Sequence, residues 1–153
     1  MIKLTTQQLA QILNANLIGD EQAVVENINT DTRKSVSNSL FFALKGEHFD
    51  AHQYLDKAVE QGATALVVQY PNTEIATPQL VVADTRLALG QLAKWLREKI
   101  NPRTVAMTGS SGKTTVKEMT ASILQQTAGN PEAVLFTNGN FNNGLLISNK
   151  IRI

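Results

Sequence analysis

The stretch Val105-Ala106-Met107-Thr108-Gly109-Ser110-Ser111-Gly112-Lys113-Thr114-Thr115 constrains this chain more than any other. An apolar run leads into two glycines separated by two serines, then a lysine and paired threonines, and a helical period follows. Glycines admit positive φ and let an oxyanion approach the backbone closely, so the N–H groups of such a turn can converge on a phosphate. A helix starting just beyond the turn adds its positive end and its unpaired N–H groups. The pattern therefore predicts a strand over 103–108, a phosphate loop over 109–115 and a helix over 114–127. Gly109, Ser110, Ser111, Gly112, Lys113, Thr114 and Thr115 are the candidate ATP-binding residues. Lys113 is the candidate catalytic charge on the β- and γ-phosphates, and the Thr114 hydroxyl the candidate Mg²⁺ ligand. Met107 stands where the general phosphate-loop pattern has a glycine five residues before Gly112, so this is a shorter form, Gly-x-x-Gly-Lys-Thr-Thr. The competing reading is a glycine turn capped by serine and threonine, with an incidental lysine.

The rest of the chain alternates in the same way. Thr5 and Gln8 have capping-box spacing and open a helix over 5–15, with Leu9, Ile12 and Leu13 on one face. Strands are expected over 24–28, 39–44, 64–69, 78–84 and 133–137. Helices are expected over 51–61, ended by Gly62, and over 85–100, broken by Asn101-Pro102. Strands alternating with helices imply βαβ units and an α/β protein. The expected architecture is a small amino-terminal α/β domain over 1–84, followed over 85–153 by the first βαβ unit of a P-loop ATPase domain.

Fourteen basic against 13 acidic side chains leave a net charge of +1, which gives no electrostatic case for a nucleic-acid or anionic-membrane partner. No cysteine is present, so disulfides, thiolate metal sites and a cysteine nucleophile are excluded. The first 20 residues carry polar groups every few positions and read as neither a signal peptide nor a membrane span, which makes the cytoplasm the expected compartment.

The extended run "TGSSGKTTVKEM" (108–119) resembles the ATP site of the Mur ligase superfamily, and within it the branch that adds D-alanyl-D-alanine. "TDTRK" (30–34) and "LFFALKGEHFDAHQY" (40–54) resemble that branch's UDP-binding domain, and "TNGNFNN" (137–143) the segment after the second strand of its central domain. The sister branch that adds the third amino acid shares the front pattern but usually carries Thr-Asn-Gly-Lys at the loop. The resemblance implies an ATP- and Mg²⁺-dependent ligase of peptidoglycan precursor synthesis, monomeric at full length. Its substrates would be UDP-N-acetylmuramoyl-tripeptide and D-alanyl-D-alanine, joined through an acyl phosphate. It further implies that Asp31, Thr32, Arg33, Lys45, Gly46, Asp50 and His52 surround the UDP-sugar, with Asn140 and Asn142 near the muramyl–phosphate region.

Plainer readings compete for the same residues. Asp31 and Arg33 also fit a local turn salt bridge, and the asparagines of 138–143 fit turn formers. His48 and His52 have the spacing of a metal pair, but Gly46 and Asp50 favour a loop there over one helical face. Trp95 reads as packing. After Asn143 the family pattern gives way to Gly144-Leu145-Leu146-Ile147, as in a truncated or frameshifted frame, so the chain is expected to be inactive alone. Two other functions remain open: a uridine-nucleotide-binding module with a vestigial loop, and an unrelated small P-loop NTPase. The latter would need an acidic Mg²⁺ ligand where Thr137 and Asn138 stand.

Overall fold

The computed structural model describes residues 3–47 and 49–137. They fall into two compact units, one ending at Ile100 and the other beginning at Asn101.

In the first unit the chain runs β1 (Leu4–Thr5), α1 (Thr6–Leu13), β2 (Asn16–Ile18), β3 (Val24–Val25), β4 (Asn27–Asn29) and β5 (Ser39–Phe42). A 3₁₀ turn (Ala51–Tyr54), α2 (Leu55–Glu60), β6 (Ala63–Val68), β7 (Gln79–Val81) and α3 (Thr85–Ile100) complete it. Five strands form one sheet in the order β2-β7-β6-β5-β4, parallel from β4 to β7, with β2 antiparallel on the β7 edge. β1 and β3 make a separate antiparallel pair.

Over 40–42, 65–68 and 80–81 the interior strands are apolar without alternation because both sheet faces are covered. Phe41 lies opposite Leu66, and these two, with Val68, pack on Leu55 and Ala58 of α2. Leu40 and Phe42, pointing the other way along the pleat, lie opposite Ala65 and Val67. All seven of these strand residues are fully buried. α3 packs on β5 and on α1, and α1 also reaches β7. Local chemistry sets the ends of these helices. Thr5 and Gln8 form the expected capping box, and Asn14 closes α1 in the left-handed region at φ 49°. Gly62 follows α2 at φ +100°, where an added Cβ would lie 3.0 Å from Ser37 Cα and the Val36 carbonyl oxygen. Only glycine fits that turn.

The expected boundary at residue 84 falls inside this unit. Asp84 Oδ1 caps α3 by accepting the Arg86 and Leu87 N–H groups at 2.7 and 2.9 Å. The Thr85 hydroxyl donates to the Ala43 carbonyl at 2.9 Å, and Leu89, Leu92 and Leu96 are buried. These ties make α3 part of the first unit's core, so the compact unit ends at Ile100 and not at 84.

The second unit holds α4 (Lys113–Ala128) and a 3₁₀ turn (Pro131–Ala133). Gly112 and Gly129, both left-handed, bound α4. The strands expected over 103–108 and 133–137 are not formed among the described residues. A strand exists through its neighbour's hydrogen bonds, and here no described segment pairs with either run. Val105 and Leu135, the apolar residues that suggested those strands, are 66% and 69% exposed. No described helix is long and apolar enough to cross a membrane.

Candidate nucleotide-binding sites

In the second unit the glycine loop sits on the N-terminus of α4. Gly109 at φ 155° and Gly112 at φ 73° take conformations that L side chains rarely adopt. Gly112 caps α4 with no side-chain hydrogen bond, so no side chain of the cap residue occupies the first N–H groups of the helix. A hollow of about 600 Å³ opens there, lined by Ser110, Ser111, Gly112, Lys113, Thr114 and Thr115, with Val105 to Met107, Lys117 and Thr137 around them. The Lys113 ammonium donates to the Gly109 carbonyl, folding its stem across the loop. A flexible four-carbon cation resting on one neutral acceptor can transfer to an anionic oxygen without leaving a buried charge unpaired.

Lys117 lines the same hollow, and sequence reasoning did not single it out. One turn beyond Lys113, it donates to the Thr137 carbonyl, pairs with Glu118 at 3.0 Å and stands 6.0 Å from the Phe136 ring. The i, i+4 repeat of lysines on α4 was the available signal.

In the first unit the candidate UDP residues gather through topology. β4, β5 and β6 are parallel, so the segments leaving them emerge at one end of the sheet. That end, outside the carboxyl ends of the strands, is where open α/β sheets place ligands. The turn after β4 carries Asp31, Thr32 and Arg33; the loop after β5 carries Lys45, Gly46 and Asp50; Gln69 and Tyr70 follow β6.

Asp31 and Arg33 form the bidentate pair, at 2.8 and 2.9 Å, and the Arg33 N–H adds a third bond to Oδ1 at 3.0 Å. The Arg33 side chain, then its backbone N–H, hold the Asp31 carboxyl at about 2. The local salt bridge thus exists, and Thr32 sits half-buried within its turn. Lys45 and Asp50 face each other across an antiparallel bridge, closed by the Gly46 N–H donating to the Phe49 carbonyl at 2.7 Å. Lys45 Nζ lies 3.8 Å from Asp50 Oδ2 and is largely exposed.

His52 is buried, and both its ring nitrogens are engaged. Nε2 accepts the Gln69 N–H at 2.9 Å, so the proton is on Nδ1, which donates to Asp50 Oδ1 at 2.6 Å. No ring nitrogen is left for a metal or a nucleotide, and among the described residues no group of three or more acidic or histidine side chains is placed to hold a metal ion. His48, Asn138, Asn140, Asn142 and Asn143 lie outside the described residues.

Burial pushes the Asp50 carboxyl up, but the backbone and ring of His52 and the Tyr70 hydroxyl outweigh it and hold the group at about 2. Asp31 and Asp50 are thus depressed from an unfolded value of about 3.9. Their stabilisation is fully present above pH 4 and is lost as pH falls through 2. Asp50 should contribute about 1–2 kcal/mol and Asp31, whose partner is exposed, less. Thermal melts of the first unit should therefore show a midpoint that drops between pH 4 and pH 2. Asp50→Asn should remove the larger part of that dependence.

A parallel sheet with polar loops at its strand ends, joined in sequence to a glycine loop on a helix N-terminus, defines an α/β protein. Residues 24–97 match the Mur ligase family, catalytic domain, and residues 107–152 match the Mur ligase middle domain. The second match runs across the tail that sequence reading set apart at residue 144. The chain is 81% identical over 145 residues to the UDP-N-acetylmuramoyl-tripeptide–D-alanyl-D-alanine ligase of Haemophilus influenzae, covering 95% of this chain and 32% of that one. A crystal structure of MurF from Acinetobacter baumannii superposes with a TM-score of 0.80 at 42% identity, covering 95% of this chain and 32% of that one. The MurF ligase of Thermotoga maritima in complex with ADP gives 0.58 at 29% identity, covering 77% and 26%. This chain belongs to the Mur ligase family and spans about a third of the length of the relatives it matches.

Proposed function

We propose that this chain carries the UDP-precursor loops and the ATP phosphate loop of a ligase that joins D-alanyl-D-alanine to UDP-N-acetylmuramoyl-tripeptide. The observation that carries the proposal is the Gly109–Gly112 turn, which opens the α4 N-terminus into a lysine- and threonine-lined hollow. The named activity of the Haemophilus relative supplies the substrates. The Thermotoga neighbour, solved in complex with ADP, supports an adenine nucleotide as a ligand.

When bound, ATP would supply the phosphoryl group that turns the precursor carboxylate into an acyl phosphate, leaving ADP; the dipeptide amine would then attack the acyl carbon and expel inorganic phosphate. The work of this chain is positioning and charge neutralisation, the principal sources of catalysis in phosphoryl transfer. Backbone N–H groups of 109–113 would hold the phosphate oxygens, and Lys113 would neutralise charge at the β- and γ-phosphates. The donor set fits Mg²⁺: this ion keeps its waters, bonds phosphate oxygens and needs few protein ligands. Thr114, a hydroxyl at the hollow's wall, would serve as one. Lys45 would face the UDP diphosphate at the sheet end, with Gly46 allowing close approach. Asp31, Thr32 and Arg33 would border the same ligand.

Calorimetric titration of the chain with UDP-N-acetylmuramoyl-tripeptide and, separately, with MgATP tests this reading. Saturable heat from both ligands is the expected result. Heat from the UDP compound alone would favour the uridine-binding module with a vestigial loop, consistent with the unpaired run 103–108 that precedes it. Heat from neither would overturn the proposal.

A further inference from the structure

The loop proposed to meet the UDP diphosphate is held by a polar latch. The Asp50 carboxylate caps the 3₁₀ turn through the His52 N–H at 3.0 Å, and takes the His52 Nδ1–H at 2.6 Å. Its other oxygen accepts the Tyr70 hydroxyl at 2.8 Å. The Tyr70 ring stacks on His52 at 4.3 Å between centroids and 23° between planes. His52 in turn accepts the Gln69 N–H at 2.9 Å. Two consecutive residues at the end of β6 thus grip the base of the β5 loop, one through a backbone amide and one through a phenol. A second anchor lies at the loop's tip, where Phe49 stacks on Tyr54 at 5.4 Å and 12°.

The latch explains why Asp50 and His52 resist a direct ligand role. The Asp50 oxygens accept donors from His52 and Tyr70, Lys45 stands 3.8 Å away as an ion pair, and neither His52 nitrogen is available. An anionic Asp50 in open water would also repel a diphosphate. Here its charge is matched by donors on the protein side, and Lys45 is the cation left facing solvent.

We infer that Tyr70, with Asp50 and His52, is a positioning residue that fixes the Lys45–Gly46 turn for an incoming UDP group, touching none of the ligand itself. The inference rests on the UDP reading of the Lys45 loop proposed above. Hydrogen bonds to an ionised acceptor are among the stronger ones, so losing the phenol should loosen the loop measurably. The Tyr70 side chain is half exposed, and Tyr70→Phe keeps the ring stack, so the fold should survive.

Two measurements on the full chain separate the inference from the reading beneath it. In Tyr70→Phe, amide hydrogen exchange at Gly46 and Ala51 should quicken about tenfold, while Phe41 and Val67 in the sheet stay unchanged. UDP, titrated as the probe, should bind Tyr70→Phe roughly three- to tenfold more weakly than the unmodified chain. Asp50→Asn, which keeps the shape and removes the charge, should act in the same direction. Unchanged exchange at Gly46 in folded Tyr70→Phe would overturn the latch. Faster exchange with undiminished UDP affinity would overturn its role in positioning. Failure of the unmodified chain to bind UDP would refute the UDP reading itself, with the latch still judged by exchange.

Discussion

Lys113→Ala is expected to lower MgATP affinity by at least about a hundredfold, equivalent to roughly 2.8 kcal/mol. Lys113 is the cation whose stem already crosses the glycine turn, with its ammonium on the Gly109 carbonyl. Charge-assisted contacts contribute about 1.5–3 kcal/mol even singly, and a triphosphate presents several anionic oxygens to one ammonium. The loss should be one of charge and not of structure. Position 113 is exposed in the first turn of α4, and alanine has the best helix propensity, so α4 should persist. Lys113→Arg should recover only part of the affinity, because a planar fork replaces a compact point charge in a turn closed by two glycines. Calorimetry with MgATP, alongside the helical circular-dichroism signal of each variant, checks both statements.

Phe41→Ala should produce the largest loss of stability, about 3–5 kcal/mol. Phe41 lies on an interior strand, is fully inaccessible, and packs on α2 beside Leu66 and Val68. Its removal leaves a cavity between sheet and helix that neighbours paired on both strand edges cannot collapse to fill. A domain of this size commonly has about 5–15 kcal/mol in hand, so the variant would lose a large fraction of it. Urea denaturation of the first unit, followed through its aromatic signals, would register this as a lower midpoint at unchanged slope. Because the effect runs through the sheet that carries the β4, β5 and β6 loops, UDP binding should fail as the unit unfolds.

What could be read from sequence was what is local. The Thr5–Gln8 capping box, the apolar Leu40–Phe42 run of β5 and the sixteen-residue α3 all follow from spacing within a few residues, and all are present. The single strand expected over 24–28 is two. The Glu26 and Asn27 N–H groups both turn to the Asn38 carbonyl, at 2.9 and 3.2 Å, so β3 pairs with β1 and β4 with β5. β2 carries no alternating apolar signal; it is an edge strand made by its pairing with β7. The helix expected over 51–61 opens as a 3₁₀ turn because Asp50 caps it early, and Tyr54 at φ −124° interrupts the helical path.

The candidate sites divide along the same line. Glycine, lysine and threonine in the 109–115 loop suggest a phosphate site through sequence spacing alone. Asp50 and His52 were visible as polar residues beside a glycine, but their partner Tyr70 is 20 residues from Asp50, and only the parallel pairing of β5 with β6 brings them together. A sequence pattern therefore suggested ligand contacts, and the geometry shows both residues hydrogen-bonded within the protein. Lys117 escaped notice for a similar reason, since its acceptor on Thr137 is also 20 residues away.

The most direct test is a backbone amide NMR titration of the chain, first with MgADP and then with UDP-N-acetylmuramoyl-tripeptide. Two separate sets of shifts are predicted: Gly109 to Thr115 for the first ligand, and the Asp31–Arg33 and Lys45–Asp50 segments for the second. MgADP that leaves Gly112 and Lys113 unmoved, or a UDP compound that perturbs only the glycine loop, would contradict the assignment of these two sites.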